Sequence, residues 1–169
     1  MREKIKTEEE LLGSVRRAKA AGKRIVFTNG CFDLLHVGHV RYLEQAKSLG
    51  DILVVAVNSD HSTTRIKGPS RPINPQQERA EVLAALASID YVTIFDDPDP
   101  YRIISILRPD ILVKGGDWTK ETTVGRDIVE GNGGEVVVIP SVGGISTTSV
   151  IDRILKRSES MARKSSLGQ

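Results

Sequence analysis

The sequence predicts an α/β fold in which a five-stranded parallel sheet carries helices on both faces. Three observations lead to this fold class. The chain has 169 residues, which is the size of one ordinary domain. Short β-branched runs alternate with helix-like segments, the pattern of parallel strands joined by right-handed helical crossovers. The runs also contain few polar side chains, as expected for strands that are covered on both faces.

An N-terminal helix is predicted over residues 7–21. Thr7 and Glu10 have the spacing of a capping box, in which a hydroxyl and a carboxylate bond the first free N–H groups of a helix. Gly22 supplies a C-terminal stop. The apolar residues of this segment recur at helical spacing, at Leu11, Leu12, Val15 and Ala18.

The remaining elements follow as an alternation of strands and helices. The predicted strands cover residues 24–28, 52–57, 91–95, 111–113 and 135–139. The helices are expected at 38–49, 75–87, 100–108, 122–131 and 147–157. Asn74 is expected to cap the helix that Pro75 opens. From Ser158 the sequence is polar and aperiodic, so residues 158–169 are expected to form a tail.

Residues 58–74 form the longest irregular stretch of the predicted domain. This stretch carries Arg65, Lys67 and Arg71, and it follows a predicted strand. Long loops are often functional, and ligands of open α/β sheets bind where strands end. The histidine in it, His61, has no motif around it and is interpreted as a loop residue.

Composition argues against several classes of protein. The 24 Lys and Arg residues against 22 Asp and Glu give a net charge of +2, both signs are scattered, and aromatic residues are few, so no nucleic-acid partner is expected. The single cysteine, Cys31, cannot form an intramolecular disulfide, which fits a reducing, cytoplasmic setting. The N-terminal residues lack the apolar core of a secretory signal. No apolar stretch approaches the roughly 20 residues that cross a bilayer, so no membrane partner is expected.

Two of the three histidines, His36 and His39, lie between the first core strand and the next helix. A helix N-terminus after a strand offers free N–H groups and a positive dipole end to a phosphate. The imidazoles can donate hydrogen bonds to phosphate oxygens as charge builds up during phosphoryl or nucleotidyl transfer. Two alternatives remain open: the histidines cap and pack the helix start, or they bind zinc with a third ligand from Cys31, Asp33 or His61.

The stretch Gly30-Cys31-Phe32-Asp33-Leu34-Leu35-His36-Val37-Gly38-His39 resembles the signature of the HxGH nucleotidyltransferases, the cytidylyltransferase-like superfamily. Gly144-Ile145-Ser146-Thr147-Thr148 resembles the C-terminal motif of the same superfamily. Within it the chain is most similar, across about 23–157, to the adenylyltransferase domains of ADP-heptose synthases. The matching pieces are residues 28–33, 57–60, 67–68, 70–75 and 113–117. The resemblance implies one Rossmann-like domain over 1–157, with an N-terminal helix at 1–22 and a motif-bearing core at 23–157.

The resemblance also implies a reaction. The phosphate of D-glycero-D-manno-heptose 1-phosphate attacks the α-phosphorus of ATP, giving ADP-heptose and pyrophosphate for lipopolysaccharide or other surface-glycan synthesis. Mg²⁺ is expected to arrive with the triphosphate rather than on a protein carboxylate cage. A homodimer is expected. The sugar-kinase domain of bifunctional members has no room in 169 residues, so a stand-alone form is expected.

The same resemblance assigns roles to residues. His36 and His39 bind the triphosphate and stabilise the transferred group, Lys67 clamps the phosphates, and Arg65 reaches the sugar phosphate. Asp33 orients the first turn or contacts the sugar. At the start of the last helix, hydroxyls and N–H groups face the β- and γ-phosphates; the residues that supply them are Ser146, Thr147 and Thr148. The other expected nucleotide-binding residues are Asn29, Gly30, Cys31, Phe32, Arg79, Lys114, Gly115 and Asp117.

Three other functions compete with this one. Glycerol-3-phosphate cytidylyltransferases share both motifs and the Gly116-Asp117-Trp118 element, but they usually place an arginine where Ser141 stands here. A dinucleotide-binding redox domain needs a G-x-G-x-x-G fingerprint, and Gly30 and Gly38 have the wrong spacing for it. A noncatalytic nucleotide sensor would be expected to lack one of the two histidines, but His36 and His39 are both present.

Overall fold

The computed structural model describes residues 2–116, 119–140 and 146–166, with side chains to residue 161. The predicted nucleotide-binding residue Asp117, its neighbour Trp118, and residues 141–145, with Ser141, Gly144 and Ile145, lie outside the described residues.

The strands lie close to their predicted positions. They are β1 (Ile25–Gly30), β2 (Ile52–Asn58), β3 (Tyr91–Phe95), β4 (Ile111–Gly115) and β5 (Glu135–Ile139). The helices are α1 (Glu8–Ala20), α2 (Val37–Ser48), α3 (Asp60–Lys67), α4 (Gln76–Ala84), α5 (Tyr101–Leu107), α6 (Arg126–Gly131) and α7 (Thr147–Ser166). None of the helices in the described part of the chain has the length and apolar character to cross a membrane.

Within the described residues, five strands form one sheet in the order β3-β2-β1-β4-β5. Every pairing in it is parallel. The chain winds outward from β1 to β3 on one side and then returns to β4 and β5 on the other. This doubly wound, Rossmann-like topology confirms the predicted fold class, and it places a crevice at the carboxyl edge between β1 and β4, where the strand order reverses.

Both faces of the sheet are covered by apolar side chains. On one face Val26, Val113 and other strand residues pack with Leu43 of α2 and Leu83 of α4. On the other face Phe27 and Leu112 join a cluster with residues of α1, α5 and α6. Because side chains alternate along a strand, these two clusters also fix the face to which each polar residue at the strand ends belongs.

Helix α1 begins as the sequence predicts. The Thr7 hydroxyl accepts a bond from the Glu10 N–H, and the Glu10 carboxylate accepts one from the Thr7 N–H, which completes the capping box. Gly22 follows the helix with a positive φ of 74°, the left-handed conformation that favours glycine after a helix end. Both ends of this helix are therefore determined by local chemistry.

Three boundary predictions need correction. The stretch expected to be irregular contains α3, which Ser59 caps by accepting a bond of 2.9 Å from the Ser62 N–H, so His61 is a helix residue and not a loop residue. Pro75, not Asn74, is the residue before α4, and the Asn74 side chain bonds elsewhere. Helix α7 continues to Ser166, so most of the segment that was expected to be an aperiodic tail is helical.

Candidate active site

A cavity of about 750 Å³ opens at the carboxyl edge of the sheet, across the ends of β1 and β4. Its walls come from the turn between β1 and α2, the end of α3, the end of β4 and the start of α7. Most of the residues predicted for the site line it: Asn29, Gly30, Cys31, Phe32, Asp33, His36, His39, Lys67, Lys114, Gly115, Ser146, Thr147 and Thr148. Arg65 and Arg79 do not line it.

The turn from β1 to α2 is shaped around Phe32. This residue has a positive φ of 46° and is 7% exposed. Its ring meets the His39 ring edge to face, with the centroids 5.4 Å apart. A bulky residue in the left-handed region costs conformational energy, which the burial of the ring offsets. Phe32 thus serves as packing support for a histidine.

His36 and His39 form a stacked pair, with ring centroids 4.0 Å apart and planes at 24°. We refer to these two residues as the histidine pair. Among the residues the structure describes, neither Nδ1 atom has a hydrogen-bond partner although both are buried. Burial lowers the pKa of His36, and burial together with the neighbouring His36 lowers the pKa of His39 to about 4. The pair is therefore neutral at pH 7 and can donate ring N–H groups without carrying charge.

Two helix N-termini meet at this cavity. His36 occupies the N-cap position of α2 but makes no side-chain capping bond there. At α7, Ser146 and Ser149 exchange bonds of 3.0 and 3.1 Å, so Ser146 also caps its helix. The Thr147 hydroxyl donates to the Leu34 carbonyl at 3.2 Å, which ties α7 to the β1–α2 turn. Free N–H groups and two positive dipole ends thus face one space, an arrangement suited to phosphates.

Lys67 and Arg65 face different surroundings in the structure although they are only two positions apart in the chain. Lys67 is the last residue of α3 and lines the cavity. Arg65 is exposed outside it, and its charge helps to lower the pKa of Asp96 after the larger effects of the Ser59 hydrogen bond and the partner His61. The prediction that Arg65 reaches the sugar phosphate is therefore not supported, because helical geometry turns it away from the cavity.

Asp33 holds the loop that follows α3. Its carboxylate accepts bonds from the Ile73 N–H at 2.9 Å, the Asn74 N–H at 2.9 Å and the Arg71 guanidinium at 2.5 Å. The Asn74 side chain returns a bond of 2.9 Å to the Asp33 carbonyl. Burial works to raise the pKa of Asp33, but these donors outweigh burial and lower it. Of the two predicted roles for Asp33, the structure supports orientation of the turn.

Arg79 is predicted to contact the nucleotide, but its side chain lies under the site and is 2% exposed. The guanidinium donates to the carbonyls of Cys31, Asn58 and Asn74 and to the Asp60 carboxylate. It joins the β1–α2 turn, the end of β2 and the start of α3. Arg79 is thus a positioning residue. We call Asp33, Arg71, Asn74 and Arg79 the loop clamp.

The end of β4 supplies another wall of the cavity. Lys114 is 7% exposed and its ammonium donates to the Asn29 side chain on β1. Burial lowers the pKa of Lys114 to about 8. A Cβ at Gly115 would lie 2.9 Å from the ring of Tyr42, so only glycine lets the strand approach this ring closely. The Tyr42 hydroxyl bonds Thr28 at 2.6 Å and the Val113 carbonyl at 3.2 Å.

Sequence reasoning misses several lining residues. Tyr42 follows His39 by one helical turn, a spacing that would have placed it beside the pair. No sequence signal indicates the wall formed by Pro98, Asp99 and Pro100, which reaches the cavity only because β3 lies in the same sheet. In the described part of the chain, no three His, Cys, Asp or Glu side chains are grouped as a metal site. His61, one of the third ligands considered for zinc, instead pairs with Asp96 at 3.4 Å.

Comparisons with known proteins identify the family of the chain. The model of the cytidylyltransferase-like family matches residues 27–160. Bifunctional protein HldE of Syntrophotalea carbinolica is 58% identical over 156 residues, which cover 92% of this chain and 32% of that protein. Bifunctional protein HldE of Geobacter metallireducens is 57% identical over 153 residues, which cover 90% of this chain and 31% of that protein. The chain thus spans about a third of the length of these relatives.

Solved structures resemble the fold. The lipopolysaccharide core biosynthesis protein of Thermoplasma volcanium is 30% identical with a TM-score of 0.57, covering 71% of this chain and 97% of that structure. A pantoate-beta-alanine ligase of Francisella tularensis has the same TM-score of 0.57 at 17% identity, covering 80% of this chain and 66% of that one. The second similarity concerns the fold alone.

Proposed function

This chain belongs to the cytidylyltransferase-like family, and we propose that it transfers AMP from ATP to D-glycero-D-manno-heptose 1-phosphate, giving ADP-heptose and pyrophosphate. The observation that carries the proposal is the neutral histidine pair beside two helix N-termini in one cavity. The motif resemblance to adenylyltransferase domains of ADP-heptose synthases and the relatives named HldE support the choice of substrates. The product would serve lipopolysaccharide inner-core or other surface-glycan synthesis.

The chemistry requires no covalent intermediate on the protein. A phosphate oxygen of the sugar 1-phosphate attacks the α-phosphorus of ATP, and the bond to the bridging oxygen of the β-phosphate breaks. Pyrophosphate leaves with the electron pair, and the acceptor oxygen needs no proton removed because the phosphate monoester is ionised at pH 7. The protein's task is to bring two anions together and to stabilise charge on the transferred group.

The histidine pair performs the second part of this task. Neutral imidazoles keep their N–H donors without adding charge, and the pair can remain stacked because neither ring is protonated. Donors fixed in a partly water-excluded site stabilise developing charge more strongly than water does. The N-termini of α2 and α7 supply further N–H groups, and Lys67 supplies a positive charge at the cavity wall.

Mg²⁺ is part of the proposal as a companion of the triphosphate. The carboxylates lining the described cavity are Asp33 and Asp99. Asp33 is bonded by three donors, and Asp99 bonds the Tyr101 N–H at 2.8 Å. This donor set suits a metal that arrives on phosphate oxygens and keeps most of its water. When bound, Mg²⁺ would neutralise charge on the triphosphate.

The test is pyrophosphate release with Mg²⁺ across ATP and CTP, each paired with heptose 1-phosphate and with glycerol 3-phosphate. We expect turnover with ATP and the heptose alone. Turnover with CTP and glycerol 3-phosphate would replace the proposal by the cytidylyltransferase alternative. Silence in every combination, from protein whose circular dichroism is that of a folded α/β domain, would reject the proposed reaction. A homodimer remains a prediction, to be tested by light scattering on the same preparation.

A further inference from the structure

Arg71 lies in the loop between α3 and α4 and lines the cavity. Its backbone is fixed by two hydrogen bonds, because its N–H donates to the Gly68 carbonyl at 3.1 Å and its carbonyl accepts from the Thr64 hydroxyl at 2.7 Å. Its side chain is fixed by the bond of 2.5 Å from Nε to the Asp33 carboxylate. With 16% of its side chain exposed, Arg71 is anchored in the cavity wall and does not extend into solvent.

This anchor uses one of the three guanidinium nitrogens. Within the described residues, the side-chain bond of Arg71 comes from Nε, and neither Nη atom has a partner. The buried side-chain atoms that lack a partner in this part of the chain belong to the histidine pair and to Thr93. The Nη atoms of Arg71 are not among them, so they are accessible to solvent. In Arg79, by contrast, every guanidinium nitrogen has an acceptor. Arg71 is therefore the arginine of the loop clamp that has N–H groups to donate to a ligand.

The Asp33 carboxylate balances only part of the charge of Arg71. The carboxylate also accepts bonds of 2.9 Å from the backbone N–H groups of Ile73 and Asn74. These N–H dipoles share in stabilising its negative charge. Part of the positive charge on the guanidinium is thus left for a second anion, and the donors that would meet this anion are the four N–H bonds of the two Nη groups.

The proposed reaction needs protein cations at the acceptor more than at the nucleotide. The triphosphate arrives with Mg²⁺ and faces the histidine pair and the N-termini of α2 and α7. The phosphate monoester of the sugar carries close to two negative charges at pH 7 and brings no metal ion. Arg65, the residue predicted to meet this charge, lies outside the cavity, whereas Arg71 lines the cavity together with Lys67.

We propose that Arg71 binds the phosphate of the acceptor sugar 1-phosphate through its Nη groups, and that Asp33 positions it for this contact. The assignment rests on the proposed function, and it gives Arg71 the role predicted for Arg65. A planar fork of N–H donors matches two oxygens of a phosphate, which a lysine ammonium cannot do. The third terminal oxygen of the monoester is left to attack the α-phosphorus of ATP. Because Asp33 already fixes the guanidinium, little side-chain entropy is lost on binding.

Arg71→Met and Arg71→Lys test the contact. Methionine removes the charge and the donors, so we expect the KM for heptose 1-phosphate to rise at least about tenfold. Lysine restores the charge without the fork, so its KM should lie between those of wild type and Arg71→Met. In both variants the Kd of a nonhydrolysable ATP analogue should stay within about twofold of wild type. Arg65→Met is the matched control, because it removes the same charge outside the cavity, and its acceptor KM should equal that of wild type.

Two outcomes of these measurements would overturn the assignment. An unchanged acceptor KM in Arg71→Met would show that the guanidinium does not meet the acceptor. A loss of analogue affinity as large as the rise in acceptor KM would place Arg71 on the triphosphate instead. Asp33→Asn keeps an oxygen that can accept from Nε, so this variant should retain an acceptor KM close to that of wild type.

A second measurement needs neither turnover nor a stable variant of Arg71. The wild-type protein, labelled with ¹⁵N in its arginine side chains and saturated with the ATP analogue, is titrated with inorganic phosphate. We expect the side-chain signal of Arg71 to shift and that of Arg65 to stay in place. An Arg71 signal that phosphate leaves unmoved would overturn the proposal even if ADP-heptose forms. A shift without any sugar-phosphate turnover would keep the phosphate contact and reject the proposed reaction.

Discussion

The histidine pair and the loop clamp line or support the same cavity, but they differ in how many of their polar atoms have hydrogen-bond partners. In the loop clamp every guanidinium nitrogen of Arg79 has an acceptor, and the Asp33 carboxylate receives three kinds of donor. In the histidine pair two buried Nδ1 atoms have no partner in the described part of the chain. Such atoms are costly in a folded protein.

The difference separates positioning from chemistry. Saturated groups hold the β1–α2 turn against α3, so their removal should affect stability first. In the proposed reaction the histidine pair, with its unmet hydrogen-bonding capacity, binds the ligand, so its removal should affect activity first. Five predictions, ordered from the largest expected effect to the smallest, test this distinction.

Replacing His39 by Asn should lower kcat by about 100- to 1000-fold, because one fixed donor to the developing charge is lost. The melting temperature should stay within a few degrees, since the pair contributes few hydrogen bonds to the fold. Steady-state pyrophosphate release and a thermal melt measure the two quantities. A kcat within about threefold of wild type would place His39 among the packing residues, the alternative that its position at a helix start leaves open.

Replacing Arg79 by Met should lower the free energy of unfolding by about 3 kcal/mol, because three buried or partly buried carbonyls lose their donor. Urea denaturation measures the loss. Arg102→Met is the matched control, since Arg102 also makes several bonds, to Glu8 and Asp97, but on the surface, and its loss should cost under about 1 kcal/mol. Equal losses in the two variants would remove the special role of the buried guanidinium.

The two regions should also titrate in different pH windows. His39 has a pKa of about 4 in the folded chain against an ordinary 6.5, so the unfolded chain takes up a proton first as pH falls. The histidine contribution is fully present above about pH 6.5 and is lost as pH falls from there to about 4, a change of roughly 3 kcal/mol. Urea denaturation from pH 7 to 4 should show this slope in the wild type and a shallower slope in His39→Asn. Parallel slopes would contradict the neutral pair.

Asp33 should act at lower pH, because its pKa is lowered in the folded chain. Its contribution is present above the unfolded value of about 3.9 and is lost as pH falls through the folded value. Asp33→Asn should cost about 1–2 kcal/mol at pH 7 and should flatten the stability profile below pH 4. The KM of this variant for the acceptor sugar phosphate should stay close to that of wild type, although the variant is less stable. A loss of activity larger than that of His39→Asn would make Asp33 a substrate contact.

The smallest effect is expected at His61. This third histidine lies on α3 with 67% of its side chain exposed, paired to an Asp96 that is 66% exposed. His61→Ala should leave kcat unchanged within error and shift the free energy of unfolding by under about 0.5 kcal/mol. A tenfold loss of activity would show that a residue outside the cavity also contributes to the reaction.

Parts of the site follow from the sequence because their signals are local. The positions of His36 and His39 between a strand and a helix place them at the carboxyl edge of any parallel sheet that begins with β1. Lys67, Lys114 and the hydroxyls of Ser146, Thr147 and Thr148 line the cavity as predicted. Their roles toward ATP and the sugar phosphate remain predictions. Arg65 lies outside the lining because a helix formed where an irregular loop was expected.

The sequence by itself determines the α/β class, the order of strands and helices, and the capping box of α1, since each depends on periodicity or on residues within one turn. Only the tertiary structure decides that Arg79 lies under the turn, that Asp33 is bonded by the loop after α3, and that Lys114 bonds Asn29 on the neighbouring strand β1. Those features join residues such as Asp33 and Asn74 or Asn29 and Lys114, which are far apart in the chain. Strand order and side-chain alternation across the sheet determine which of these distant residues come into contact. A local pattern of residues does not contain that information.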